Sequence, residues 1–424
     1  LMNKPVILLN LLFILSTLGL ILADMNKMNM FKDLSQDPKT LFKAFYHIFE
    51  KSNDYDINTE YGVQRFRIFE DNINWAKAKN EKLGKKTYGV NIFSDLTFEE
   101  YEERYIHNTS VLNTGETETL LESDQADEED SETPDIQEVD WTEFMQPIQD
   151  QGQCGSCWAF AAVSAIEGAN SIQNGQSQKF SEQFLVNCTE KNKGCRGGSF
   201  GNTANFVRKH GLQLASKFPY IADEGFCKLN DDDYLSGEAY KIVDKWEIIF
   251  KYDEKRWTNL LLQGPGYTVV DARTEEFKNY SPDSLDEPLI CDTCRHVNHA
   301  VTAVGIKMID GKPHVIVRNS WGERWGAKGY FTVPFDKDCL VRKMFFLPII
   351  KKGNVKPEPK PEPKPEPKPH PDPDPDNLPD PTPKKDNHCP MFYDEKGNTN
   401  RYYQTCTGIS DSFENLGRTI KGWS

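Results

Sequence analysis

This chain is short of positive charge: 50 lysines and arginines stand against 65 aspartates and glutamates, a formal net charge of −15. That balance excludes a surface built for nucleic acid, and because much of the acid lies in linkers it says little about a substrate. Long apolar runs are also scarce. The one that exists, Val6 to Leu22, follows Lys4 and ends at Ala23-Asp24, so residues 1–23 read as a signal peptide. A short membrane anchor is the rival reading, and a membrane enters only if this segment stays uncleaved. The hydrophobic fraction of 38% is lowered by polar segments, since 424 residues exceed one average domain. Zinc-finger spacing is missing as well. Cys154 and Cys157 are not closely followed by the two further ligands a structural zinc requires, so no metal and no cofactor is expected.

What is present centres on Gln151-Gly152-Gln153-Cys154-Gly155-Ser156-Cys157-Trp158-Ala159-Phe160. The two cysteines could serve a metal, a redox pair, or a nucleophile beside a disulfide half. The flanks favour the third. Trp158 to Gly168 is rich in alanine, carries Val163 and Ile166 at helical spacing, and has neither proline nor internal glycine, which predicts a buried helix. Ser156 is a good N-cap, so Cys157 falls among the unpaired N–H groups and the partial positive charge of a helix start. That position lowers a thiol's pKa, and the thiolate is the attacking species.

The motif resembles that of the papain and cathepsin L family of cysteine proteases, for which a histidine and an asparagine are expected about 130–150 residues downstream. His299 stands in Val297-Asn298-His299-Ala300-Val301 and Asn319 in Val317-Arg318-Asn319-Ser320-Trp321-Gly322, at offsets of 299 − 157 = 142 and 319 − 157 = 162. Alone, His299 in its valine-rich run could be a satisfied core residue and Asn319 a strand-end turn. All three in order point to chemistry. The resemblance implies that Cys157 attacks the peptide carbonyl, that His299 pairs with it and then protonates the leaving amine, and that Asn319 orients the ring under the shield of Trp321. Gln151 and the Cys157 backbone N–H match the family's oxyanion donors. The implied product is a peptide or protein cleaved internally, because no insertion with paired histidines follows Cys195 to enforce carboxydipeptidase action. Gly197 and Gly198 would pair with an extended substrate, and Phe200, Val269, Val297, Ala300 and Met344 would line the pocket for the second residue before the cut, giving a hydrophobic preference there. Read alone, these are core or turn residues.

Upstream, Leu41, Phe45 and Phe49 share one helical face and Phe66, Phe69 and Ile73 another. Arg65, Phe69, Asn72 and Asn80 resemble the interspersed helix motif of family propeptides, with Tyr61 and Ala76 where Glu and Ile are usual and Glu60 one residue out of register. Gly89-Val90-Asn91-Ile92-Phe93-Ser94-Asp95 fits the second propeptide motif at every fixed position. The resemblance implies an inhibitory prosegment lying in the cleft in reverse direction until acid loosens its carboxylate contacts. Glu116 to Glu132 is too acidic and too polar to fold alone and reads as a processing linker, so residues 24–133 form propeptide plus linker. The catalytic domain then spans 134–350. It reads as helical over 158–210 and β-rich at Val269-Val270, Val301–Ile306, Val315–Arg318 and Tyr330–Val333, an α+β, two-lobed papain-like fold with the cleft between lobes.

Ten cysteines less the nucleophile leave nine, an odd number. By family correspondence Cys154 pairs with Cys195 and Cys188 with Cys227. Cys339 pairs with either Cys291 or Cys294, the family position falling between them, and the one left over is either a bystander or a redox element. Cys389 and Cys406 would close a small C-terminal module. Residues 351–388 alternate proline with Lys, Glu and Asp and predict an extended spacer. The module, 389–424, gathers Phe392, Tyr393, Tyr402, Tyr403, Phe413 and Trp423 as its own core or as a surface for a glycan or protein ligand. Sequons begin at Asn108, Asn187 and Asn279. A monomer is expected, in the secretory pathway, either lysosomal or endosomal or outside the cell. A catalytically silent binding protein is the opposing class, and intact Cys157, His299, Asn319 and Gln151 argue against it; a ligase or adhesion molecule targeted by the tail is another.

Overall fold

The computed structural model describes residues 30–51, 55–106, 136–227, 239–250 and 253–353. The signal peptide, the acidic linker, Asn108, the proline-rich spacer, the Cys389–Cys406 pair and the C-terminal module lie outside the described residues. Among the described residues no helix is long and apolar enough to cross a membrane.

Three helices build the prosegment. Helix α1, Pro38–Ile48, starts at Asp37, whose carboxylate accepts from the Thr40 N–H, and proline occupies a first-turn position where no donor is missed. Helix α2, Glu60–Leu83, is capped by Thr59 and stops at Gly84, whose φ of 64° needs the left-handed region. Helix α3, Phe98–Tyr105, carries a full capping box between Thr97 and Glu100. Leu41, Phe42, Phe45, Phe69 and Ile73 are wholly buried where α1 crosses α2. The signature residues explain the rest. The Asn72 amide donates to the carbonyls of Ser94 and Leu96, and Asn80 accepts from the Thr87 and Tyr88 N–H groups, so α2 grips the returning chain. Tyr61, where Glu is usual, lies under the Arg65 guanidinium at 5.3 Å.

The catalytic part has a helical and a sheet side. Helix α4, Cys157–Asn174, is buried from Cys157 to Asn170, which is why alanine dominates it. Gly168 is forced, because a Cβ there would meet Met145 and Pro265 at 2.6 Å. Helices α5, Glu182–Cys188, and α6, Phe200–His210, pack beside it. Seven antiparallel strands form one sheet: β1 Val139–Asp140, β2 Val243–Phe250, β3 Gly266–Val270, β4 His299–Ile309, β5 Lys312–Arg318, β6 Tyr330–Pro334 and β7 Met344–Ile350. Their order is β2-β7-β3-β4-β5-β6, with β1 paired to β4. Helices α7, Glu254–Leu261, and α8, Glu275–Lys278, complete the set. Register places Val269 opposite Ala300 and Val270 opposite His299, so the start of β4 faces α4.

Candidate active site

Cys157 is the first residue of α4, with Ser156 in the cap position. The expectation that Ser156 caps the helix through its side chain is not met. Its Oγ lies 2.6 Å from the Tyr220 hydroxyl instead, so the cap residue's side chain accepts from no first-turn N–H group. The Cys157 sulfur also departs from the thiolate reading. Burial pushes this thiol up to about 11, against the opposing pull of the Ala300, Trp158 and Cys157 N–H groups. At 4% exposure the desolvation of a negative sulfur outweighs the helix start.

The Ala300 N–H on this sulfur ties the nucleophile helix to β4, one residue past His299. His299 Nε2 is 2.7 Å from Asn319 Oδ1. That oxygen also accepts from the Ser320 N–H at 2.8 Å, which fixes the amide's orientation; Nε2 must therefore be the donor, and Nδ1 is the ring nitrogen left for proton exchange. Trp321 stacks on the imidazole with centroids 4.7 Å apart and a 27° tilt. His299, Asn319 and Trp321 are between 1% and 3% exposed, so this hydrogen bond is dry. Gln151 is equally buried; its Oε1 accepts from Ser320 and one Nε2 hydrogen goes to the Cys154 carbonyl.

Phe200, Val269, Ala300 and Met344 form one apolar cluster with Cys157, and Val297 packs on its edge. Gly197 has φ 105°, and a Cβ on Gly198 would meet Asn192 and the Trp158 ring at 2.6–2.7 Å, so this backbone lies flat beside the nucleophile helix. Sequence reasoning missed Tyr267 and Phe346. Phe346 stacks on Phe200 at 3.8 Å, and the buried Tyr267 hydroxyl has no partner. Nothing local marks Tyr267, and β7 is too uniformly apolar to single out Phe346. Asp271 was also missed. Its carboxylate accepts from the Arg295 and His296 N–H groups and the Asn298 amide, holding the approach to His299.

Disulfides join Cys154 to Cys195, Cys188 to Cys227 and Cys294 to Cys339, and Cys291 is a buried thiol. The Asn279 sequon is buried, 1% exposed, with its amide bonded to Glu275, leaving no room for a glycan in this fold. The prosegment reaches the site through Trp321. Phe93, Tyr101 and Tyr105 pack edge-on against that indole at 5.1, 5.9 and 6.4 Å. Around them Asn91 donates to the carbonyls of Lys278 and Tyr280, the buried Lys278 ammonium donates to Asn72, and Lys79 pairs with Glu276.

A cysteine-headed helix facing a histidine strand, under a helical prosegment, is the arrangement expected of a thiol protease in precursor form. Residues 136–349 match the model of the papain family cysteine proteases and residues 42–101 that of the cathepsin propeptide inhibitor domain. Caricain of Carica papaya is 33% identical over 69% of this chain and 82% of its own length, and cysteine protease XCP2 of Arabidopsis thaliana 33% identical over 73% and 85%. The solved structure of digestive procathepsin L 3 of Tenebrio molitor larval midgut superposes with a TM-score of 0.60 at 26% identity, covering 74% of this chain and 99% of that one. The chain belongs to the papain family of cysteine proteases, and is a cysteine endopeptidase carrying an inhibitory propeptide.

Proposed function

We propose that Cys157 and His299 are the nucleophile and the acid–base partner of this endopeptidase, with Asn319 orienting the ring and Gln151 and the Cys157 N–H receiving the oxyanion. The observation that carries the reading is the two-sided hold on His299: Nε2 fixed to Asn319 at 2.7 Å, and the next residue's N–H on the Cys157 sulfur. In the cycle, Nδ1 takes the thiol proton, the thiolate adds to the scissile carbonyl, and the same proton leaves on the amine; water then releases the acyl group. Gly197 and Gly198 align the substrate backbone. The apolar walls of Phe200, Val269, Val297, Ala300 and Met344 take a hydrophobic second residue before the cut.

The propeptide and linker, 24–133, are removed to free a catalytic domain of 134–350, and the spacer 351–388 carries the 389–424 module toward a ligand of its own. A route through the secretory pathway to a lysosome or the outside accords with the three disulfides. Acid-processed protein should cleave a peptide with leucine at the second position in preference to arginine, and lose activity with Cys157→Ala or an epoxide thiol reagent. Undiminished turnover by Cys157→Ala would overturn the assignment.

A further inference from the structure

Cys291, a free thiol like Cys157, is not isolated: its sulfur and those of Cys294 and Cys339 all lie within 4.8 Å of one another. We propose that these three residues form a thiol–disulfide exchange site, in which Cys339 can be held by either Cys294 or Cys291 and the prosegment covers the waiting thiol.

The chemistry balances without any oxidant. The Cys291 thiolate attacks the Cys339 sulfur, a Cys291–Cys339 bond forms as Cys294–Cys339 breaks, and Cys294 leaves as a thiolate that takes up the proton Cys291 gave away. Two sulfurs stay oxidised throughout. The leaving side is prepared: the Cys294 sulfur sits 3.9 Å from the Asp271 carbonyl, an acceptor for the S–H that appears once the bond breaks.

The cover belongs to the prosegment. Tyr88 donates its hydroxyl to the carbonyl of Ile290, the residue before Cys291, at 3.0 Å. Tyr88 and Ala76 share a buried cluster with Cys291, and Trp75 and Leu83 pack on it. Burial pushes the Cys291 thiol up to about 11, with the Thr274 hydroxyl pulling it down and Glu276 adding to the rise. Tyr88 leaves with the prosegment, so the thiol is held buried in the precursor and is freer to ionise and attack its neighbours once the enzyme is processed.

Exchange would be felt at the cleft. It moves the covalent tie from five residues before His299 (299 − 294) to eight (299 − 291), while Cys339 still accepts the Asp271 N–H at 3.0 Å. This last consequence, unlike the exchange itself, rests on the proposed role of His299.

The test is disulfide mapping by mass spectrometry after acid quench and alkylation. In full-length Cys294→Ser the Cys291 and Cys339 peptides should be joined and the Cys291 thiol lost; recovery of both as alkylated thiols, with the Cys154–Cys195 and Cys188–Cys227 bonds intact, would overturn the proposal. Should that variant not fold, the wild-type chain decides. Held near pH 8, processed enzyme should yield alkylated Cys294 that the precursor does not, and alkylation confined to Cys291 in both forms would refute exchange. Cys291→Ser should abolish the Cys294 signal. If exchange is mapped but activity does not differ between wild type and Cys291→Ser, the exchange site stands and only its link to His299 falls.

Discussion

Removing the imidazole should return Cys157 to the character of a buried thiol, and the size of that change follows from the structure. Burial, net of the three N–H groups that oppose it, places the thiol near 11. Holding it ionised at pH 7 therefore requires about four pK units, or about 5 kcal/mol at 1.36 kcal/mol per unit. An imidazolium about 4 Å away in surroundings of effective dielectric about 20 supplies about 4 kcal/mol, so the partner carries most of the requirement and hydration of the opened cleft the remainder. His299→Ala in processed enzyme should thus raise the thiol's apparent pKa by about three units, 4 kcal/mol divided by 1.36. The assay is the rate of alkylation of Cys157 against pH, followed on its tryptic peptide so that Cys291 does not contribute. Alkylation of wild-type processed enzyme should reach half its maximal rate at about pH 7, and that of the variant about three units higher. Overlapping profiles would refute the ion-pair reasoning, whatever happened to peptide turnover.

Three further outcomes follow from the same contacts. Asn319→Ala removes a buried hydrogen bond to a ring that becomes charged, worth about 1.5–3 kcal/mol, so kcat should fall about 10- to 150-fold with little change in KM; an effect below twofold would remove Asn319 from the mechanism. Glu100 loses by burial but gains more from the Arg65 guanidinium, the Thr97 N–H and Arg104, which hold its carboxyl below the usual range. A lowered folded pKa contributes stability that is present above the unfolded value near 4.5 and lost as pH falls through the folded one, so prosegment unfolding should steepen below about pH 4.5 and Glu100→Gln should flatten that slope. Calorimetry across pH 3–6 checks it, and an unchanged slope would refute it. Phe93→Ala deletes a fully buried ring on Trp321 at a cost of about 3–5 kcal/mol to the prosegment's hold; the precursor should show activity at neutral pH, and a silent precursor would mean Trp321 is not the anchor.

The helices, and the candidate residues that the fold brings together, were legible because each carries a local signal. Alanine runs, caps and the aromatic faces of α1 and α2 mark helices, and the valines of β3 to β6 mark strands. β2 and β7 carried no such signal. Val243–Phe250 mixes exposed and buried positions along a sheet edge, while Met344–Ile350 is apolar at nearly every position and includes Pro348, so neither shows a period of two. The raised pKa of the thiol in the precursor was not legible for a related reason. A helix start is visible in sequence, but the desolvation that opposes it comes from β3, β4 and β7, more than a hundred residues away. Ser156 failed as a cap because Tyr220, 64 residues on, takes its hydroxyl. Long-range packing, not local propensity, sets these features.

That packing also separates the two tasks a precursor must perform. Trp321 keeps one face on His299, drying the bond to Asn319, and offers its edges to Phe93, Tyr101 and Tyr105. The prosegment can therefore leave without disturbing the imidazole, since only the outer surface of the indole is uncovered. Its attachments to the catalytic part also include ion pairs, Lys79 with Glu276 and Glu102 with Arg273, and the buried hydrogen bonds from Asn91 to the carbonyls of Lys278 and Tyr280. Apolar contacts on Trp321 and the buried hydrogen bonds of Asn91 together hold the prosegment in register over the histidine site.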